Sequence, residues 1–240
     1  MNWILITGDS RGLGFEITHL LLKKGIQVIG ISRSTNQNIR NLQNCFRDDF
    51  LHINYDLSNT NGIKGLFLDQ ITQKRPIRGL VVNAAIAYDD LVTNANNERL
   101  DQLFRTNVQS SILMTKYAIR NMIFNDLPGS LVYISSVCAH TGYKGLSMYS
   151  ATKGAIESFS KTVAREWGIK RIRSNCVAPG FMETDMSSSL DRKQRDRIFK
   201  RTSIGTATDL RSVAETVLFL LDEASSSITG QVLHVDNGTI

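Results

Sequence analysis

The 240-residue chain is poor in the residues that build metal and disulfide sites. Its three cysteines, Cys45, Cys138 and Cys176, are odd in number and widely spaced, which fits a reducing, cytoplasmic setting better than a disulfide framework. Four scattered histidines show no ligand spacing, so no metal is expected. No apolar stretch approaches the ~20 residues of a membrane-spanning helix. Met1–Ile6 has an apolar run but no basic flank and no room for a secretory signal. A basic tail and nucleic-acid motifs are also missing, so neither membrane nor nucleic acid is an expected partner. Linkers, solenoid repeats and low-complexity segments are absent. Residues 1–240 therefore read as one domain, of ordinary length for an α/β fold.

One further absence is local. No Asp or Glu lies between Glu16 and Asp48. Sites that prefer NAD place an acid at the end of the second strand, ~20 residues past a glycine turn, to bind ribose hydroxyls. Here that position reads Ser32-Arg33-Ser34-Thr35, and Arg11 sits inside the glycine turn itself. Two guanidinium groups flanked by hydroxyls suit a 2′-phosphate, which points to NADPH. The bland alternative is that Arg33 is only a solvated residue after a strand.

What the chain does contain is ample apolar content, 42%, and alternating strand and helix patterns. Trp3–Ile6 is a short apolar run that reads as a strand buried on both faces. It leads into Thr7-Gly8-Asp9-Ser10-Arg11-Gly12-Leu13-Gly14 and a helix that ends at Lys23-Lys24-Gly25. Gln27–Ile31 follows as a second strand. Glycines at the first turn of such a unit let a pyrophosphate approach the free N–H groups of a helix N-terminus.

Further on, a helix is expected around 38–47, a strand at 50–54 with Asp56-Leu57 beyond it, and a helix around 62–72. Asp56 is placed where a side chain could reach an adenine edge. The stretch 78–85 reads as a fourth strand running into Asn83-Ala84-Ala85. A long helix over 98–124 carries Asn107. A fifth strand at 130–135 has Ser136 at its carboxyl end, and a sixth spans 172–178 before Pro179-Gly180. Residues 183–206, polar and basic, are expected to form a substrate lid, helical in parts. A last helix, capped by Thr208 or Asp209, buries Val213, Val217 and Leu220-Leu221, and 231–235 is a seventh strand. This alternation predicts a doubly wound Rossmann-type domain: a seven-stranded parallel sheet with helices on both faces. The formal net charge of +6 suits an acidic partner or an anionic ligand, and solubility explains it equally well.

Tyr149-Ser150-Ala151-Thr152-Lys153 carries the chemistry. A tyrosine and a lysine four apart share a helix face. A free phenol, with a pKa near ~10, is a poor proton donor or base at neutral pH, and a neighbouring ammonium lowers it. Ser136 could orient a carbonyl. Alone, this spacing arises by chance. With the pieces Thr7-Gly8-x-x-x-Gly12-x-Gly14, Asp56, Asn83-Ala84, Asn107, Ser136, Tyr149-x-x-x-Lys153 and Pro179-Gly180 in this order, the whole chain resembles the short-chain dehydrogenase/reductase family. It is most similar to the bacterial 3-oxoacyl-acyl-carrier-protein reductases, through Ala164-Arg165-Glu166, 175–186 and 228–235.

The resemblance implies that Tyr149 is the proton donor and that Lys153 lowers its pKa and holds the nicotinamide ribose. It further implies that Ser136 binds the substrate carbonyl and that Asn107 positions a water in a proton relay. The cofactor contacts it implies are Gly8, Ser10, Arg11, Gly12, Leu13, Gly14, Arg33, Asp56, Leu57, Asn83, Ala84, Tyr149, Lys153, Pro179, Gly180, Met182 and Thr184. A homotetramer acting on a β-ketoacyl thioester of acyl carrier protein is the implied setting. Departures stand at Ala85, where the family has glycine, and at Thr202–Thr206, Asn237 and Leu127-Pro128. They leave the substrate open to a specialised polyketide- or polyene-type pathway, to another small ketone or alcohol, or to a non-catalytic dinucleotide-binding role.

Overall fold

The computed structural model describes residues 3–71, 75–184 and 191–239. Seven parallel strands form one sheet in the order β3-β2-β1-β4-β5-β6-β7. They are β1 (Trp3–Thr7), β2 (Val28–Ser32), β3 (Phe50–Asn54), β4 (Ile77–Val82), β5 (Gly129–Ile134), β6 (Ile172–Pro179) and β7 (Val232–Val235). The helices are α1 (Gly12–Lys23), α2 (Gln37–Cys45), α3 (Ile63–Leu66), α4 (Asn97–Phe104), α5 (Ser110–Phe124), α6 (Ser147–Trp167), α7 (Arg192–Phe199) and α8 (Leu210–Leu221).

Both sheet faces are covered, so the strands read as nearly continuous apolar runs. On one face Leu5, Ile29, Leu80, Leu131 and Cys176 pack with Met114 and Met122 of α5 and Ile156 and Val163 of α6. On the other, Ile4, Ile6, Val28, Val132 and Val177 pack with Ile17 and Leu21 of α1 and Val213 and Val217 of α8. Asp209, not Thr208, caps α8, its carboxylate accepting from Ser212 N at 3.1 Å. Of the described helices, none is long and apolar enough to cross a membrane.

One strand and two helices depart from expectation. The fourth strand stops at Val82, and Asn83–Ala85 continue as loop beyond it. The helix expected over 98–124 is interrupted by a π turn at Arg105–Gln109, and the one over 62–72 by a π turn at Phe67–Ile71, with Thr72 outside the described residues. In the segment 183–206, α7 is present with no buried residue, while 185–190 lie outside the described residues.

The strand order matters for function. The chain leaves β1 towards β2 on one side and meets β4 on the other. Open α/β sheets bind ligands at such a switch point, outside the strands' carboxyl ends.

Candidate active site

The turn after β1 stands at this switch point. Gly8 and Gly12 adopt left-handed backbone angles, φ 76° and 54°. Gly14 starts its helix hard against the turn: a Cβ there would lie 2.0 Å from the Gly8 carbonyl oxygen. Asn83 laces the end of β4 to this turn, its Nδ2 donating to the Thr7 and Gly8 carbonyls at 3.1 and 3.2 Å. Asn83 N and Ala84 N both donate to Thr7 Oγ1, at 3.0 and 3.1 Å. On its open side Gly12 faces Thr184, whose Cγ2 would be 3.8 Å from an added Cβ. Leu13 is buried in the core, so only its backbone faces the turn. Ser10 is partly buried, and Arg11 and Arg33 are exposed.

Asp56 is exposed and turns one oxygen onto Ser58 N at 2.9 Å. The Leu57 side chain is buried, which leaves only its backbone for a ligand. Pro179 ends β6 opposite Val235, and Gly180 N donates to Val235 O at 3.0 Å. Met182 and Thr184 follow in the partly buried segment beyond.

A second group gathers around β5 and α6. Lys153 is buried, and its Nζ donates to Ile134 O at 2.7 Å while lying 5.5 Å from the centre of the Tyr149 ring. Ser136 Oγ accepts from Cys138 N at 3.2 Å. The Cys138 thiol follows Ser136 by two residues. Burial raises its pKa, and a hydrogen bond with Ser136 and the Lys153 charge oppose that rise. The same thiol acts on Tyr149. The Lys153–Ile134 bond therefore brings Tyr149 and Lys153 of α6 to the carboxyl end of β5, two residues before Ser136.

The electrostatics differ from the expected scheme in one respect. The Tyr149 phenol is pushed up from its ordinary value rather than down, first by burial and then by Cys138 and Asp89. Desolvation wins because the ammonium is itself buried: Lys153 falls to about 8 by burial, against the opposing pull of Cys176, Cys138 and Glu157.

Asn107 sits in the π turn. Its Oδ1 accepts from Ile86 N and its Nδ2 donates to Ile86 O, both at 2.9 Å, and Nδ2 also reaches Thr152 Oγ1 at 3.2 Å. Thr152 Oγ1 in turn donates to Tyr149 O at 2.7 Å. Asn107 thus clamps the loop after β4 to the helix that bears Tyr149. Its side chain is engaged at both ends, and its main-chain carbonyl accepts from Ser111 Oγ at 2.7 Å.

Sequence reasoning missed a buried carboxylate. Glu157 lies one helical turn beyond Lys153, accepts from Ser135 Oγ, and has His140 Nε2 2.9 Å from the same oxygen. Its position four residues after Lys153 was the available signal. A surface hollow between α1 and α8, lined by Ile4, Lys24 and Phe219, lies by the start of β1, away from these groups.

A glycine turn at the switch point of a doubly wound sheet, together with the Ser–Tyr–Lys set, marks a Rossmann-type oxidoreductase. The chain belongs to the short-chain dehydrogenase/reductase family: residues 8–239 match the family model described as enoyl-(acyl carrier protein) reductase. It is similar to the 3-oxoacyl-acyl-carrier-protein reductases FabG of Rickettsia felis, 33% identical over 98% of this chain and 95% of that protein, and of Chlamydia pneumoniae, 32% identical with the same coverage. Among solved structures it resembles ElxO with NADP bound, 26% identical, covering 99% of this chain and 98% of that one with a TM-score of 0.90.

Proposed function

We propose that the protein is an NADPH-dependent ketoreductase that reduces a β-ketoacyl thioester carried by acyl carrier protein to its 3-hydroxy form. The observation that carries this reading is the placing of Tyr149 and Lys153 of α6 against the carboxyl end of β5, two residues before Ser136, on a chain similar along almost its whole length to 3-oxoacyl-acyl-carrier-protein reductases.

The glycine turn fits the cofactor. Its left-handed glycines and the N-terminus of α1 offer backbone N–H groups to a pyrophosphate. Arg33 and Arg11 would hold the 2′-phosphate, and Asp56 with the Leu57 backbone the adenine. Asn83, Ala84, Pro179, Gly180, Met182 and Thr184 would line the path towards the nicotinamide. When bound, the nicotinamide supplies a hydride to the ketone carbon.

The chain's own residues do the rest. Ser136 donates to the substrate carbonyl and orients it. Tyr149 gives its phenolic proton to the oxygen as negative charge develops there. Its raised pKa keeps that proton in place until the acceptor becomes basic. Lys153 spends one N–H on Ile134 O. Its two remaining donors can hold a ribose hydroxyl and stabilise the phenolate that Tyr149 becomes.

Residues 183–206 would act as the lid over the substrate. The α7 helix, rich in Arg and Lys, is tied back by Arg195 to Glu183 at 3.3 Å and by Phe199 packed edge-on to Phe181. We read the protein as a cytoplasmic homotetramer. Support comes from the apolar side chains Phe104, Ile112, Ile123 and Phe124, exposed on α4 and α5.

A panel of carrier-bound and free ketones tests the substrate. NADPH oxidation with acetoacetyl thioesters is the expected result. No oxidation with them, together with turnover of a free sugar or steroid, would assign the enzyme to another small ketone or alcohol.

A further inference from the structure

Asp9 is the one acid in the glycine turn, and it is fully buried. Its Oδ2 accepts from His52 Nδ1 at 2.7 Å, and the His52 side chain is only 2% exposed. His52 Nε2 lies 2.9 Å from Asn54 Oδ1, which also accepts from Thr35 Oγ1 at 2.9 Å. The next residue, Asn36, caps α2 with its Oδ1 and donates from Nδ2 to Ser10 O at 2.7 Å. Ser10 is bonded to Asp9, so the circuit closes. It runs from the glycine turn to β3, across to the loop after β2, and back.

The Asp9–His52 link of the circuit spans Gly30. Gly30 pairs with Ile6 on one side and His52 on the other. The Asp9 carboxylate crosses directly over it: a Cβ at Gly30 would sit 1.9 Å from Oδ2. Any other residue there would push Asp9 off its histidine. Stability alone is a poor reason to build this. A buried carboxylate–imidazole pair gains little over apolar residues of the same volume, and its attested use is to fix a geometry. Here Asp9 Oδ1 is also buried with no partner among the described residues, a further cost.

What the circuit fixes is the distance between two loops. Arg11 follows Ser10 directly, and Arg33 lies two residues before Thr35. We infer that the Asp9–His52–Asn54–Thr35 circuit is a specificity-positioning device that holds the Arg11 and Arg33 loops at the separation a cofactor 2′-phosphate requires. This rests on the NADPH reading above. Asp9 and His52 are positioning residues, because they act through the loops and not on the phosphate.

The test is a set of variants read by binding as well as turnover. His52→Gln breaks the buried link, and Thr35→Val cuts the circuit at its partly exposed edge, where the fold is not at risk. Calorimetry would follow adenosine 2′,5′-bisphosphate, AMP, NADP⁺ and NAD⁺, alongside kcat and KM for NADPH and NADH. In both variants the bisphosphate and NADP⁺ should bind roughly tenfold more weakly. AMP and NAD⁺ should be unchanged, and kcat at saturating NADPH preserved. A native protein that prefers NADPH, with variants whose phosphate preference is unaltered, would overturn the inference and leave the cofactor reading standing. Equal affinity of the native protein for bisphosphate and AMP would overturn both.

Discussion

At the scale of single residues, the site turns on a phenol and an ammonium whose environments work against their ordinary behaviour. Tyr149 is held protonated by burial and Lys153 is eased towards neutrality. Two predictions belong here. Tyr149→Phe should lower kcat by roughly 10²–10⁴-fold, the range for losing one positioned proton donor, while NADP⁺ affinity measured by calorimetry stays within about twofold. Survival of activity would remove Tyr149 from its role. For the free enzyme, kcat/KM should fall through about pH 8 as Lys153 loses its proton. A profile flat to pH 10 would show that this ammonium is not needed.

The types and spacing of these residues were legible in the sequence because chemistry dictates them. Their pKa directions were not. The expected lowering of the phenol rested on an ammonium one helical turn away, whereas the fold buries both groups and desolvation is the largest influence on each.

At the scale of elements, the order of strands and helices followed from apolar periodicity and turn residues. The two π turns did not, because one extra residue in a turn leaves the apolar pattern on either side nearly intact. The π turn at Arg105–Gln109 has a visible consequence: it presents Asn107 to Ile86 and Thr152 together. The first turn of α1 depends on a bare Cα. Gly14→Ala would drive a methyl to 2.0 Å from Gly8 O and against Asn83 Nδ2. We expect a loss of roughly 1–3 kcal/mol, as for other overpacked sites. Chemical denaturation would read it, accompanied by a raised KM for the cofactor, since the turn must open to admit the methyl. Unchanged stability would mean that the turn yields freely.

At the scale of the whole molecule, stability should carry the signature of the buried site in its pH dependence. Between about pH 8 and the ordinary lysine value of 10.5, the unfolded chain keeps the Lys153 proton and the folded chain does not. The unfolded state then binds more protons, so this group makes unfolding free energy rise with pH across that window. Above pH 10 the sign reverses. Unfolded phenols ionise while Tyr133 and Tyr149, both raised by burial, hold their protons, and stability falls. Denaturation midpoints of the native chain and Lys153→Met across pH 7–11 check this. The variant should lose the rise and keep the fall.

Sequence by itself determined the class of fold, the strand count, the glycine turn, the missing acid after the second strand and the Ser–Tyr–Lys set. Each is a local pattern, written in neighbouring residues by the demands of strands, turns and proton chemistry. Only the tertiary structure decided which distant residues meet. It set Lys153 on the Ile134 carbonyl, placed Glu157 against Ser135, and carried the Asp9–His52 link over Gly30. These contacts join parts of the chain up to 43 residues apart. They depend on strand order and register, which arise from burying both sheet faces at once and leave no periodic trace in the sequence.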